Sequence, residues 1–533
     1  ASRRIRAFRL DAPALGCRPA AASCSLPHLA MSRELKAGII LNYLSMGTNL
    51  AMGLLLTPLI ISRLGTTEYG IFMLANSVIA WLGITDFGLG ATVTRYVVSY
   101  RAKGRFVRQA HFLGQAVMLF SLMGLLALAA GIICYLYLHT LFPELSEDSL
   151  HLLRVLFLIT LGNFVLAFPL RPLAAIPAAC RRFLAPGLAG LAQALLNVVL
   201  TLLLLRMGGT ATALTWLAFA LNLGLMLWQT HYATHTLGAR VLFRKPDWRL
   251  YRSMYSFSFW VMLNQLMDLL YWQIGTPIVA RICGPQAVVY YTLGLSFSRY
   301  FMMASTAISG IFSPEIMHRI DNHATPTEQT SLMIRAGRLQ LCVVGVMLTG
   351  FCLFGREFLR LWVGSSIGAH TTEVWWGALL VLIPLILPLS QNTGIAILQT
   401  RHLHRGRALI LLATALVCVI PGYLLTQQFG APGMFCGTAL SLLLGHGLLL
   451  NLYYSHRAGL EMKRFYREVF CPALLPVFLC AAGGWAIPVF IPCTNWGMLI
   501  ALCGGFSLYA AIVFFLLYLQ REERRELFHL FRP

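Results

Sequence analysis

The sequence predicts an all-α polytopic membrane protein, with about fourteen transmembrane helices arranged as two parallel-repeat six-helix lobes plus a C-terminal helix pair. Three observations carry this reading. Hydrophobic residues make up 58% of the 533 and charged residues only 11%, with a mean hydropathy of +0.72, far from the roughly 25% charge of soluble domains. Strongly basic loops alternate along the chain with loops poor in Lys and Arg. A short stretch also recurs: Thr-Pro-Leu-Ile-Ile-Ser-Arg-Leu-Gly at 57–65 and Thr-Pro-Ile-Val-Ala-Arg-Ile-Cys-Gly at 276–284.

The apolar segments fall at 38–61, 70–90, 112–138, 152–171, 184–205, 210–231, 254–280, 286–313, 337–355, 374–399, 408–426, 432–453, 471–491 and 496–518. Most reach the roughly 20 residues that a helix needs to cross the hydrocarbon. They divide the chain into an N-terminal lobe (31–231, helices 1–6), a basic linker (232–253), a C-terminal lobe (254–455, helices 7–12), and 456–533, which holds helices 13 and 14 and a basic tail. Residues 1–30 contain five Arg, one Asp and no continuous apolar run. That composition is a poor signal peptide and is read as a disordered extension before Met31.

The net charge of +22 follows topology and does not indicate nucleic acid. Of the 41 Lys and Arg, Arg63, Arg206, Arg281, Arg356 and Arg360 fall in the opposite loops, and Arg154 and Arg299 lie within apolar segments. The others sit in the N-terminal stretch, in alternate loops (for example Arg101, Lys103, Arg105 and Arg108) and in the tail. The positive-inside rule makes that side cytoplasmic, and an even number of spans returns both termini to it. A cell (inner or plasma) membrane location follows. The thirteen cysteines include no CxxC and suggest neither a metal site nor a disulfide framework, leaving Cys283 with Cys493 as the one candidate pair. No GxxxxGK[ST] loop occurs, and no cofactor is implied.

The repeat extends beyond its core. At the same offset Ser45 falls on Asn264, Asn49 on Asp268 and Leu74 on Leu293. Six spans separate the copies, so both halves run in the same direction and are related by an axis along the membrane normal, with a cleft between them. Duplicated halves suggest a transporter. Pro58 and Pro277 sit late in the first helix of each half, where each either supplies a hinge or helps to end the span.

The stretch Arg63-Leu-Gly-Thr-Thr-Glu-Tyr-Gly-Ile-Phe, followed by Thr85-Asp-Phe-Gly-Leu-Gly-Ala-Thr-Val-Thr-Arg-Tyr, resembles the polysaccharide-transporter branch of the multidrug, oligosaccharidyl-lipid and polysaccharide flippase superfamily, which includes the O-antigen flippases. The matching positions are Leu64, Gly65, Glu68, Tyr69, Gly70, Asp86, Phe87, Gly88, Leu89, Arg95 and Tyr96. The resemblance implies two six-helix lobes around a V-shaped central cavity, and alternating-access transport of a polyprenyl-linked glycan. Many members of the branch have twelve spans. Fourteen is closer to the related peptidoglycan-precursor flippases.

Ionisable groups deep in a membrane are costly and mark function. On helix 7, Asn264, Asp268 and Tyr271 share one face, and helix 1 carries the corresponding stripe Asn42, Ser45 and Asn49. Asp268 either binds a coupling proton or sodium ion, contacts sugar hydroxyls, or is a paired structural charge. Arg299 is suited to a diphosphate or an acidic sugar, and Asp268 on the preceding helix is its expected partner. Asp86 and Arg95 form a candidate latch near the cytoplasmic end of helix 2, with helix capping as the structural alternative. No metal-ligand or catalytic set is expected.

These readings converge on a flippase carrying a polyprenyl-diphosphate-linked oligosaccharide or polysaccharide unit to the outer leaflet. It is expected to be monomeric, with lipid-linked glycan and membrane lipids as partners and with glycan-assembly proteins as further contacts. The close rival is a cation-coupled multidrug and toxin extrusion exporter. A membrane glycosyltransferase or polymerase fits less well, because the outer loops are short and lack an acid–base or metal cluster.

Overall fold

The computed structural model describes residues 33–401, 403–490, 495–520 and 523–524. The expected extension 1–30 and Cys493 lie outside them. Among the described residues every regular element is helical. Eleven stretches are long and apolar enough to cross a membrane, and three of these, Leu44–Asp86, Ser258–Ile320 and Pro326–Ser390, each contain two helices. Fourteen spans result, as the hydropathy predicts: α1 (33–64), α2 (66–102), α3 (106–141), α4 (147–179), α5 (184–206), α6 (211–236), α7 (248–283), α8 (285–321), α9 (326–367), α10 (371–400), α11 (404–429), α12 (431–458), α13 (462–490) and α14 (496–517).

The helices outrun their apolar cores because polar end turns continue past the hydrocarbon when they are capped. At α9 the Thr325 hydroxyl receives Glu328 N–H while the Glu328 carboxylate receives Thr325 N–H at 2.7 Å, a capping box. The linker is correspondingly shorter than expected. Tyr232–Thr236 extend α6, α7 starts at Trp248, and only 237–247 is non-helical.

The repeat is visible in the backbone. Gly65 (φ 80°, ψ 166°) turns the chain between α1 and α2, and Gly284 (φ 78°, ψ 179°) does the same between α7 and α8. Only glycine enters that region freely. The spans therefore end at these glycines; Pro58 lies inside an uninterrupted helix, whereas Pro277 lies just after α7 breaks at 273–274. Packing repeats as well: α5 packs on α1 as α11 packs on α7, and α4 meets α3 and α6 as α10 meets α9 and α12.

The lobes touch at both ends, so the open V implied by the resemblance is closed here. At the end carrying the basic loops, Thr92 Oγ1 and Ser258 Oγ are 2.7 Å apart, Tyr96 OH and Ser253 Oγ 3.0 Å apart, and Phe87 meets Tyr255 edge-on at 5.7 Å. At the opposite end Gln286 Nε2 donates to Thr67 Oγ1 at 3.3 Å, and Arg281 Nη1 donates to the carbonyls of Thr140 and Leu141 at 3.2 and 2.9 Å.

The C-terminal pair packs against α9 of the second lobe, through a cluster that includes Phe354, Phe465, Phe506 and Phe514. Its anchor is ionic. Arg338 on α9 lies 3.6 Å from Glu523, both side chains being 6% exposed, donates to Tyr518 O and stacks over the Tyr518 ring at 5.1 Å. Removing one partner of a buried pair strands the other, at about 3–5 kcal/mol. Glu523→Gln is therefore expected to lower the melting temperature in detergent markedly, and Arg338→Met with Glu523→Leu to recover most of the loss. Equal losses in the single and double variants would refute the assignment.

Candidate functional site

The polar face of α7 points into the C-terminal lobe. A cavity of about 150 Å³ opens there, bordered by Asp268 and Tyr271 of α7, Thr306 of α8, Gln391 of α10, Arg407 of α11 and His446 of α12. Asp268 keeps an accessible side chain although it sits mid-span, because it faces this space and not packed side chains. Its charged neighbour is Arg407. Arg407 Nη1 also donates to Asn264 Oδ1 at 3.2 Å, while Asn264 Nδ2 donates to Trp260 O at 2.7 Å. Tyr271 OH stands 3.2 Å from both Thr414 Oγ1 and Ser441 O, and its ring meets His446 at 5.9 Å.

The expected contact between Asp268 and Arg299 is not formed. Arg299 lies on α8 with an exposed side chain and interacts electrostatically with Tyr69 of the opposite lobe and with Tyr300. The reason is angular: the α7 face bearing Asp268 packs toward α11 and α12, and α8 turns Arg299 toward α2. Sequence reasoning placed Arg407 among loop charges because the apolar run begins after it. The helix begins at His404, which carries Arg407 one turn inside. A basic residue adjoining an apolar run, opposite a mid-span acid, was the available signal.

The other expected residues separate. Asn49 is exposed and donates to Ser45 O of its own helix at 2.9 Å; the Asn42 side chain lies outside the described set. Asp86 pairs with Arg171 of α4, Nη1 to Oδ2 at 3.1 Å, and Arg95 is exposed two turns further along α2. Arg171 is itself stacked over Phe168 at 4.5 Å and Phe164 at 5.2 Å. The Asp86 pair is therefore internal to the first lobe, where it holds the left-handed turn Phe87–Gly88 (φ 49° and 67°) against α7.

The motif residues have visible work within the first lobe and at the lobe contacts. Glu68 Oε1 accepts the Ala211 N–H at 2.6 Å, placing a carboxylate on the N-terminus of α6. A Cβ on Gly70 would stand 1.9 Å from Pro285 O, and one on Gly88 2.5 Å from Val261 Cγ1. Other buried amides join helices: Asn222 Nδ2 donates to Asn163 Oδ1 at 2.9 Å, and Gln391 Nε2 donates to Asn451 Oδ1 and Tyr466 OH at 3.0 Å. Two cavity atoms, Gln391 Oε1 and Arg407 Nε, have no partner among the described residues, so the space suits water or an exchanging ligand.

Comparison with known proteins agrees with this architecture. The uncharacterized membrane protein EpsK of Bacillus subtilis (strain 168) is 23% identical over 496 residues, which cover 90% of this chain and 94% of that protein. Among solved structures, the lipid II flippase MurJ in an inward closed conformation has a TM-score of 0.66 at 15% identity, covering 90% of this chain and 97% of that one. An outward-facing multidrug resistance MATE family transporter of the MOP superfamily has a TM-score of 0.57 at 13% identity, covering 80% and 94%. At such identities the two structures attest the fold. Residues 35–317 match the family described as "Polysaccharide biosynthesis protein", and with more than half its length in that match the chain belongs to this family.

Proposed function

We propose that this protein moves a polyprenyl-diphosphate-linked oligosaccharide or polysaccharide unit from the cytoplasmic to the outer leaflet of the cell membrane by alternating access, with the basic end and both termini cytoplasmic. The observation that carries the reading is the arrangement of the family motifs: they form the contacts that close the space between two repeated lobes, Tyr96, Phe87 and Gly88 at one end and Gly70 at the other. A route for a large polar headgroup needs both closures to open in turn, while the lipid tail stays in the bilayer.

In this scheme the exposed guanidinium of Arg299 meets the diphosphate as the lobes part, since guanidinium binds phosphate oxygens bidentately. Asp268 exchanges a coupling proton or sodium ion, and Arg407 supplies the charge that replaces it; Asn264 and Tyr271 hold the two in register. Pro58 and Pro277 leave α1 and α7 free to bend, and the Asp86 pair keeps its turn in shape. Asn49 and Ser45 border the path on the first lobe. The mid-span carboxylate of Asp268 also supports a second reading, a cation-coupled exporter of small organic cations.

Translocation of a labelled polyprenyl-diphosphate oligosaccharide in proteoliposomes tests the proposal. Arg299→Ala is expected to retain wild-type melting and to lose about tenfold or more in rate, the worth of one charge-assisted contact at about 1.5–3 kcal/mol. Export of a small cation with the glycan left in place would transfer the assignment to the second reading.

Asp268→Asn is expected to leave some translocation but to abolish its response to an imposed proton or sodium gradient; a gradient response equal to wild type would remove Asp268 from coupling. Gly70→Ala is expected to wedge the outer contact open at a cost of about 1–3 kcal/mol, raising thiol labelling of a cysteine placed at Thr67. Unchanged labelling would show that this contact does not gate the outer side.

A further inference from the structure

The non-helical linker lies across the basic ends of α3 and α7 like a strap. Gln115, 4% exposed, fastens it: Nε2 donates to Arg244 O and Lys245 O, both at 2.9 Å, and Oε1 accepts from Asp247 N at 3.2 Å. Leu242 N donates to Ala110 O at 3.0 Å. Beside the strap opens a pocket of about 570 Å³, lined by Arg108 and His111 of α3, Arg244 and Lys245 of the linker, and Trp248 and Arg249 of α7.

Positive charge is in excess in this pocket. Arg108, Arg244, Lys245 and Arg249 make no side-chain hydrogen bond or ion pair among the described residues, and His111 Nδ1 is buried without a partner. Asp247 is the one acid in the lining, and it is engaged as the cap of α7, its Oδ1 accepting from Arg249 N at 3.0 Å and Leu250 N at 3.3 Å. Four like charges around one hollow repel one another, and an anion of phosphate geometry relieves that repulsion while meeting several donors.

The surroundings of the hollow choose the source of the phosphate. Phe106, Val107, Phe243 and Trp248 flank the basic residues and are 62, 67, 67 and 76% exposed. Aromatic and aliphatic side chains beside cations, at the point where α3 and α7 enter their apolar stretches, belong at a bilayer interface. A dissolved ion has no use for them.

We infer that this pocket binds the phosphate of an anionic phospholipid headgroup. The site draws residues from α3 of one lobe, α7 of the other and the covalent joint between them. A lipid bound there clamps the basic ends together and favours the closed arrangement made by Thr92 with Ser258 and Tyr96 with Ser253. It acts as a lipid-controlled brake, separate from the transport path and independent of which cargo is carried.

Hydrogen exchange on the full chain in nanodiscs tests this, comparing phosphatidylcholine alone, phosphatidylcholine with phosphatidylglycerol, and phosphatidylcholine with added inorganic phosphate. The Leu242 amide is expected to exchange about fivefold more slowly with phosphatidylglycerol only, since a ligand bound to the closed strap slows opening in proportion to its saturation. Equal rates in all three would overturn the inference, and slowing by inorganic phosphate would overturn the lipid assignment. Arg244→Gln with Lys245→Gln and Arg249→Gln retains the backbone groups that Gln115 and Asp247 hold, and is expected to lose the phosphatidylglycerol effect; persistence of the effect would place the lipid elsewhere. Should that variant melt early, native mass spectrometry of Arg108→Gln gives the same reading, with one retained phosphatidylglycerol fewer than wild type expected and an equal number contrary to the inference.

Discussion

The structure depends on close backbone approach between the lobes, at points where a side chain is missing. Gly70 lets the Pro285 carbonyl sit where a Cβ would stand, and Gly88 does the same for Val261. The close approach brings buried apolar side chains of both lobes into one cluster, Ile71 and Leu74 with Val288 and Val289 among them. Hydrogen bonds such as Thr92 with Ser258 and Gln286 with Thr67 complete the closures. Bonds of this kind contribute about 0.5–1.5 kcal/mol each, which suits surfaces that must part and reform. The large apolar cluster shared by the lobes also contains Leu293, and a second holds α13 and α14 against α9.

The second lobe is the polar one. α7 breaks at 273–274, one turn beyond Asp268, and α12 contains a π segment, Leu443–Leu449, that includes His446. His446 of the π segment borders the cavity together with Tyr271 and Trp272, which just precede the α7 break. A break in a membrane helix frees backbone groups, which persist where protein or a hydrated space satisfies them; here the Gln273 carbonyl accepts from Ser77 Oγ of the first lobe at 3.1 Å. In the first lobe the equivalent α1 is unbroken through Pro58. The repeat has thus been conserved in its turns while its interiors diverged, one lobe keeping a polar cavity and the other an ion pair, Asp86 with Arg171, that shapes a contact.

The parts of this fold that were legible in sequence are those written locally. Hydropathy gave the fourteen spans, and the recurrence of Thr57–Gly65 at Thr276–Gly284 gave the two halves, because each is a property of contiguous residues. Partnerships across space were not legible. Charge counting placed Arg407 and Arg171 in loops, and neither the start of α11 at His404 nor the break in α4 near 168–175 that presents Arg171 to Asp86 has a hydropathy signal. Periodicity put Asn264, Asp268 and Tyr271 on one face, yet it cannot say whether that face turns toward the other lobe or inward. Helix α11 decides it.

The hydrogen bond between Gln286 and Thr67 joins two positions that correspond under the repeat, so the pseudo-two-fold axis passes between them. In an unfused ancestor made of two identical chains, that position would have met its own copy, and one gene would have had to supply a residue compatible with itself. Fusion of the halves removed the constraint. Threonine could then face glutamine, a donor matched to an unlike acceptor. An asymmetric pair at the centre of a symmetric contact needs two unlike halves, and it shows in two side chains how a duplicated sequence can specialise its halves.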